Sequence, residues 1–132
     1  MTVSLESLRR EHLDSPALQF LLPGLPPEAI LPLETIGGIA QAILYDEITV
    51  GILTVTLQHE AMIAIHPDYQ RKGIALASLV LAKSVAVRRG ITWVIAKARI
   101  GRPSNGLLAK FGAVETSRKD DEVFYRVDFA DA

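Results

Sequence analysis

Short apolar runs separated by polar turns dominate the chain from residue 37 onward. The runs at 39–45 and 48–56 are separated by Asp46-Glu47, a pattern that predicts a β-hairpin. The run at 61–65 shows no polar alternation, which is typical of a short central strand covered on both faces. These segments therefore predict three consecutive strands.

One longer segment, residues 73–89, places apolar side chains at helical spacing and ends in Arg88 and Arg89. Gly90 follows where a helix C-terminal cap belongs. The predicted elements after this helix are a strand at 91–98, a short helix with Ser104 as N-cap and Gly112 as terminator, and strands at 113–118 and 123–129.

Residues 1–36 form a different kind of segment, rich in proline. Ser4 as N-cap, followed by Leu5, Leu8 and Leu13 at helical spacing, predicts a first helix. Five prolines then restrict the chain to short helical or turn pieces. We expect a helical, proline-rich part at 1–36 and a core at 37–129.

The predicted order is helices, β, β, β, α, β, α, β, β. This order is typical of an α/β (α+β) fold with a mixed sheet and a parallel crossover through the long helix. The chain has 132 residues, of which 49% are apolar. That length suits a single domain spanning 1–132.

Charge and cysteine content exclude several classes of function. The formal net charge is −1, from 14 basic and 15 acidic residues, so no global attraction to nucleic acid or anionic lipid is expected. Without cysteine, disulfides and thiolate chemistry are excluded, and three scattered histidines predict no metal site. No apolar run approaches the ~18 residues of a membrane span, and we expect a cytoplasmic protein.

The segment 61–75 carries the most specific chemical signal. An apolar strand runs into a polar loop, and Gly73 stands at the start of the long helix. The first amides of a helix have no internal partner and carry partial positive charge, so they bind phosphate groups well. Arg71 and Lys72 add positive charge beside them. The alternative is an ordinary turn glycine between solvated basic side chains.

Gln70, Gly73 and Ala75 together resemble the coenzyme A signature of the GNAT superfamily of N-acetyltransferases, (Gln/Arg)-x-x-Gly-x-(Gly/Ala). The preceding run 63–67 resembles the strand and proline turn found before that signature. Val50-Gly51 and the segment 104–112 resemble further parts of the family, so the resemblance spans 37–129. It implies a mostly antiparallel sheet splayed at the central strand and flanked by helices.

The resemblance also implies how acetyl-CoA, the cosubstrate, would bind. The pantetheine arm would pair with the main chain of Ile63, Ala64 and Ile65, and one N–H there would polarise the thioester carbonyl. Ser104 would lie near the cofactor as well. The pyrophosphate would bind the loop of Gln70, Arg71, Lys72, Gly73, Ile74 and Ala75.

The groups that would move protons are less defined. Many family members carry a tyrosine acid four residues before the last helix glycine, and Leu108 stands there instead. An amine must also lose a proton before it attacks. His59 and Glu60 precede the central strand, where some family members keep a catalytic glutamate; the alternative is that both are ordinary residues of a strand end.

The predicted function is acetyl transfer from acetyl-CoA to a primary amine of a small molecule or peptide. The alternative is a catalytically weak or inactive binding or regulatory protein that kept the fold. A nucleic-acid-associated role is disfavoured by the near-zero net charge. No membrane partner is expected, and homodimers are common in the resembling family, so a homodimer stays open.

Overall fold

The architecture was obtained as a computed structural model that describes residues 2–24, 26–100 and 103–129, without the side chains of Arg99 and Ser104. The strands are Val3–Ser7 (β1), Ile39–Tyr45 (β2), Ile48–Val55 (β3), Ala61–Ile65 (β4), Trp93–Arg99 (β5), Val114–Lys119 (β6) and Glu122–Asp128 (β7). The helices are Arg10–Leu13 (α1), Pro16–Leu21 (α2), Ile74–Arg88 (α3) and Pro103–Lys110 (α4), with 3-10 turns at Pro27–Ala29, Leu31–Glu34 and Pro67–Tyr69. No helix in this described part is long and apolar enough to cross a membrane.

The predicted strands and the long helix are confirmed to within two residues at each end. Asp46 and Glu47 both have positive φ, as a tight two-residue hairpin turn requires. At the end of α3, the N–H of Ile91 donates to the Ala86 carbonyl and that of Gly90 to the Val87 carbonyl. This is the Schellman arrangement, and Gly90 supplies the positive φ that it needs.

Two predictions about local structure are wrong. Residues 3–7, predicted as the start of a helix, form β1 and pair with β2, because Val3 and Leu5 lie at strand spacing opposite Tyr45 and Ile43. Ser104 is not the N-cap of α4, because that helix already includes Pro103. Proline is well suited to the first helical position, since its fixed φ is helical and its missing N–H is not needed there.

Two apolar layers cover the first sheet, which has the order β1-β2-β3-β4. One layer packs α3 against a core that includes Ile43 and Leu53, and the other packs the α1–α2 region against Ala42 and Ile52. The second sheet has the order β5-β7-β6. Its side chains Val94 and Val127 extend the α3 core, so one continuous apolar layer supports both sheets.

The two sheets meet at a single parallel bridge between Glu60 and Ile95. There the N–H of Ile95 donates to the His59 carbonyl at 2.7 Å. β4 then pairs only with β3, and β5 only with β7. The predicted parallel crossover through α3 and the splay beside the central strand are both present.

Candidate active site

The loop between β4 and α3 is held by side-chain contacts to its own main chain. His66 Nδ1 accepts a hydrogen bond from the Asp68 N–H at 3.1 Å, which caps the 3-10 turn. Gln70 Nε2 donates to the Ile65 carbonyl at 3.0 Å and ties the loop to the end of β4. Gln70 therefore braces the loop from within.

The start of α3 offers unused donors. Arg71 and Gly73 both have positive φ, at 64° and 76°, and no side chain caps the helix. The first helical bond is from the Ala77 N–H to the Gly73 carbonyl, and within the described chain the N–H groups of Ile74 and Ala75 have no acceptor. A Cβ added at Gly73 would meet no atom within 4 Å. The space beside the Gly73 Cα is therefore open.

Positive charge lies beside these amides. The side chains of Arg71 and Lys72 are exposed, and neither forms an ion pair with any described residue. Cations without carboxylate partners next to the partial positive charge of a helix start favour an anion with several oxygen atoms. The loop residues predicted from the sequence are therefore together at one place, where two amides without acceptors lie close to two cations.

The edge of β4 that faces β5 is also open. The N–H of Thr56 donates to the Glu60 carbonyl and that of His66 to the Val50 carbonyl, both at 2.9 Å. Because main-chain groups alternate in direction along a strand, those of Ala64 point to β3. Those of Ile63 point the other way, into the gap that separates β4 from β5. Of the three residues predicted to pair with a pantetheine arm, Ile63 has the required orientation, while the amide and carbonyl of Ala64 serve the sheet. Ile65 also faces the gap, but its carbonyl is already bound by Gln70.

An apolar cavity of about 50 Å³ lies between the splayed strands. It is bounded by Ala61 and Ile63 of β4, Val94 and Ala96 of β5, and the side chains of Leu108 and Phe111 at the end of α4. Leu108 is only 8% exposed. The position where the resemblance implies a tyrosine acid is therefore an apolar wall of the gap.

His59 is held at the closed end of the gap by two contacts with Trp93. Its Nδ1 lies 2.8 Å from the Trp93 carbonyl oxygen, so Nδ1 carries the proton and donates, which leaves the Nε2 lone pair free. The imidazole also stacks on the Trp93 ring, with centroids 4.0 Å apart and planes 9° apart. The Arg126 guanidinium carbon lies 4.6 Å from the centre of the same ring. Half-buried Trp93 thus contacts two partners, one in the turn before β4 and one on β7.

Glu60, the neighbouring candidate, is exposed at the bridge to Ile95. Its carboxylate has no hydrogen bond or ion pair with any described residue. The side chain of Ser104 lies outside the described structure, so only its place in the first turn of α4 is known. Tyr125, which lies on β7, donates its hydroxyl proton to Asn105 Oδ1 at 2.7 Å. No group of acidic residues and histidines in the described chain is suited to hold a metal ion.

The contacts of Trp93 with His59 and with Arg126 are absent from any sequence pattern. The spacing of Trp93, Ile95 and Lys97 does place these three side chains on one face of a strand. Which residues lie opposite depends on the pairing of β5 with β7 and with the start of β4, and no local pattern gives that pairing.

Comparison with known proteins gives fold matches only. No protein-family model matches the chain, and no curated protein matches its sequence. Among solved structures, the PaiA N-acetyltransferase from Thermoplasma acidophilum, in complex with coenzyme A, is 13% identical, with 97% of this chain and 99% of that chain covered and a TM-score of 0.75.

Two further solved structures agree over nearly the whole chain. A ribosomal-protein alanine N-acetyltransferase from Escherichia coli is 17% identical, covering 99% of this chain and 96% of that chain at a TM-score of 0.75. The spermidine N-acetyltransferase from Vibrio cholerae, a dodecamer, is 15% identical, covering 97% and 94% at a TM-score of 0.77. This chain has the fold of the GNAT N-acetyltransferases.

Proposed function

We propose that this protein transfers the acetyl group of acetyl-CoA to a primary amine. The observation that carries the proposal is the juxtaposition of free helix-start amides, two cations without ion-pair partners and an open strand edge. The PaiA enzyme of the same fold holds coenzyme A. The open groups of this chain match the parts of that ligand, which is an anionic diphosphate followed by an amide-containing arm.

The diphosphate binds at the start of α3. The amides of Ile74 and Ala75 donate to its oxygens, and Gly73 leaves room for their approach. Arg71 and Lys72 neutralise its charge from the solvent side. A pantetheine N–H then donates to the Ile63 carbonyl, as an additional strand would.

The acetyl group lies in the gap beside Ile63. The Ile63 N–H points into the gap and polarises the thioester carbonyl. This fixed main-chain dipole stabilises the oxyanion that develops there. The apolar walls strengthen this interaction, because the local dielectric is low. Ala61 and Leu108 form part of those walls.

His59 takes the proton from the acceptor amine. Because Nδ1–H is bound to the Trp93 carbonyl, Nε2 is the atom that accepts. The amine nitrogen then forms the C–N bond, the C–S bond breaks, and coenzyme A leaves as a thiolate, while the second proton of the nitrogen passes to solvent water. A thiol ionises near pH 8.5, so the thiolate is an adequate leaving group without a side-chain acid and takes its proton from water. Leu108 in place of a tyrosine is compatible with this route.

The test is turnover of isotope-labelled acetyl-CoA with a panel of primary amines, read by mass spectrometry of the acetylated product. We expect acetylated amine and free coenzyme A in equal amounts. Asparagine tolerates the positive φ of position 59. His59→Asn should therefore lower kcat about 100-fold while coenzyme A still binds. Coenzyme A binding without acetylation of any amine would instead favour the second candidate, a binding protein, for which the apolar Leu108 is the supporting observation.

A further inference from the structure

The gap between β4 and β5 has two different faces. On one face, α3 and α4 close it with apolar side chains that pack on Val94, Ala98 and Val127. The opposite face carries Glu60 and Ile95, whose side chains point the same way because they form a parallel pair. We call this second side the open face.

Alternation places further side chains on the open face. Met62 follows Glu60 by two residues on β4, and it is 40% exposed. Phe124 and Arg126 of β7 pair with Lys97 and Ile95 of β5, so they share this face as well. A ligand that reaches the thioester from this side meets these side chains.

The charges on the open face are balanced except at one point. Lys97 Nζ lies 3.4 Å from Glu122, and Arg126 lies 3.1 Å from Asp128. Glu60 is the carboxylate here that has no partner among the described residues, and it stands at the closed end of the gap beside His59. A single positive charge is therefore favoured at this end.

Three apolar side chains also lie on the open face. Met62 on β4 is exposed, and Ile95 on β5 and Phe124 on β7 are half-buried. A second positive charge placed beside these side chains would lose solvent without gaining a partner. It would also approach the cations of Lys97 and Arg126.

We propose, on the basis of the acetyl transfer proposed above, that the acceptor is a singly charged primary amine attached to an apolar group. Glu60 holds the ammonium, next to the base that takes its proton. The apolar group lies on Met62, Ile95 and Phe124. An aliphatic amine and a peptide N-terminus with an apolar first side chain share this chemistry, whereas a polyamine does not have it.

The experiment compares acceptors that differ by one charge. Hexylamine and hexane-1,6-diamine have the same carbon chain. We expect the KM of hexylamine to be at least about 10-fold lower than that of the diamine. A C-terminally amidated peptide beginning with leucine is compared with one beginning with lysine. A lower KM for the leucine peptide than for hexylamine identifies a polypeptide as the source of the amine, and the reverse identifies a small molecule.

Variants assign the two parts of the site. Glu60→Gln should raise KM for hexylamine about 10-fold with kcat retained, and Met62→Ser should raise KM for hexylamine but not for the diamine. Glu28→Gln makes the same chemical change at an exposed carboxylate in the Pro27–Ala29 turn, and it should change neither constant. Thermal melts of each variant establish that the protein is folded.

The outcomes separate this inference from the proposed function. A diamine KM equal to or below that of hexylamine overturns the acceptor assignment while acetyl transfer stands. A loss of kcat at unchanged KM in Glu60→Gln makes this residue a base and also overturns it. If no amine is acetylated although coenzyme A binds, the proposed function itself fails, and this inference fails with it.

Discussion

Replacing Gly73 by leucine tests the proposed diphosphate contact against a matched control in the same helix. Gly73 and Gly90 lie at opposite ends of α3, with φ of 76° and 78°. At both positions an added Cβ meets no atom within 4 Å. The two substitutions therefore carry the same backbone strain and neither creates a clash within the described protein. Only Gly73 lies beside the free amides.

The expected effect on stability is the same for both variants. A non-glycine residue in the left-handed region costs about 1–2 kcal/mol. Losing the freedom of glycine in the unfolded chain offsets about 0.4–1 kcal/mol of that cost. The net loss is about 1 kcal/mol, which lowers Tm by about 4 °C for a domain of this size.

The expected effect on binding differs. A leucine side chain at position 73 occupies the space of the diphosphate and removes at least one charge-assisted hydrogen bond, worth about 1.5–3 kcal/mol. That loss raises the Kd for coenzyme A about 10- to 100-fold. Isothermal titration calorimetry measures it directly. If Gly73→Leu and Gly90→Leu bind coenzyme A within about threefold of each other, the diphosphate does not bind at this loop.

Four further changes test other parts of the reasoning. Lys72→Gln should weaken coenzyme A binding about 2- to 5-fold at low salt, and calorimetry at high salt should show the difference shrink. Burial alone would raise the pKa of Glu34, but hydrogen bonds, that from Arg89 foremost, outweigh it and hold the pKa below its ordinary value of 4.5. The stability that this carboxylate adds is present above its unfolded pKa and is lost as pH falls through its lowered folded pKa. Arg89→Met should therefore lower the free energy of unfolding by about 1 kcal/mol at pH 7 and by less at pH 3, as measured by urea unfolding. This figure is already reduced because both side chains are partly exposed. Gly51→Ala should destabilise the protein by about 1–3 kcal/mol, because its Cβ would come within 2.4 Å of the Ala64 carbonyl oxygen. Gly106→Ala, in open helical space, should instead stabilise it by about 0.5–1 kcal/mol in the same urea assay.

The parts of the fold that depend on local pattern could be predicted. The five apolar residues of β4 and the cap at Gly90 need only their neighbours in sequence. Leu5, Leu8 and Leu13 lie at helical spacing, so the local pattern predicts a helix where β1 forms. The deciding term is the pairing of Val3 with Tyr45, a contact across more than forty residues that no local spacing reveals.

The same limit applies to the candidate site. The residues of the loop are consecutive, so their signature was sufficient to locate the free amides at the start of α3. The brace from Gln70 to the Ile65 carbonyl could not be predicted, because it depends on how the 3-10 turn folds back. The stack of His59 on Trp93 joins residues 34 apart in sequence, and it exists only because β4 and β5 meet there.

That stack explains how one bridge can hold two sheets at a fixed separation. Full pairing of β4 with β5 would satisfy the main chain of Ile63 and remove the gap, so the open edge is costly, at about 1–3 kcal/mol for each buried group left without a partner. At the closed end, Trp93 packs against His59 of the turn before β4 and against Arg126 of β7. Beyond it, Leu108 and Phe111 line a space that an extended amide-containing ligand would fill, while its donors and acceptors restore the missing pairing. An acyl-pantetheine arm bound as proposed would pair with this open edge of β4.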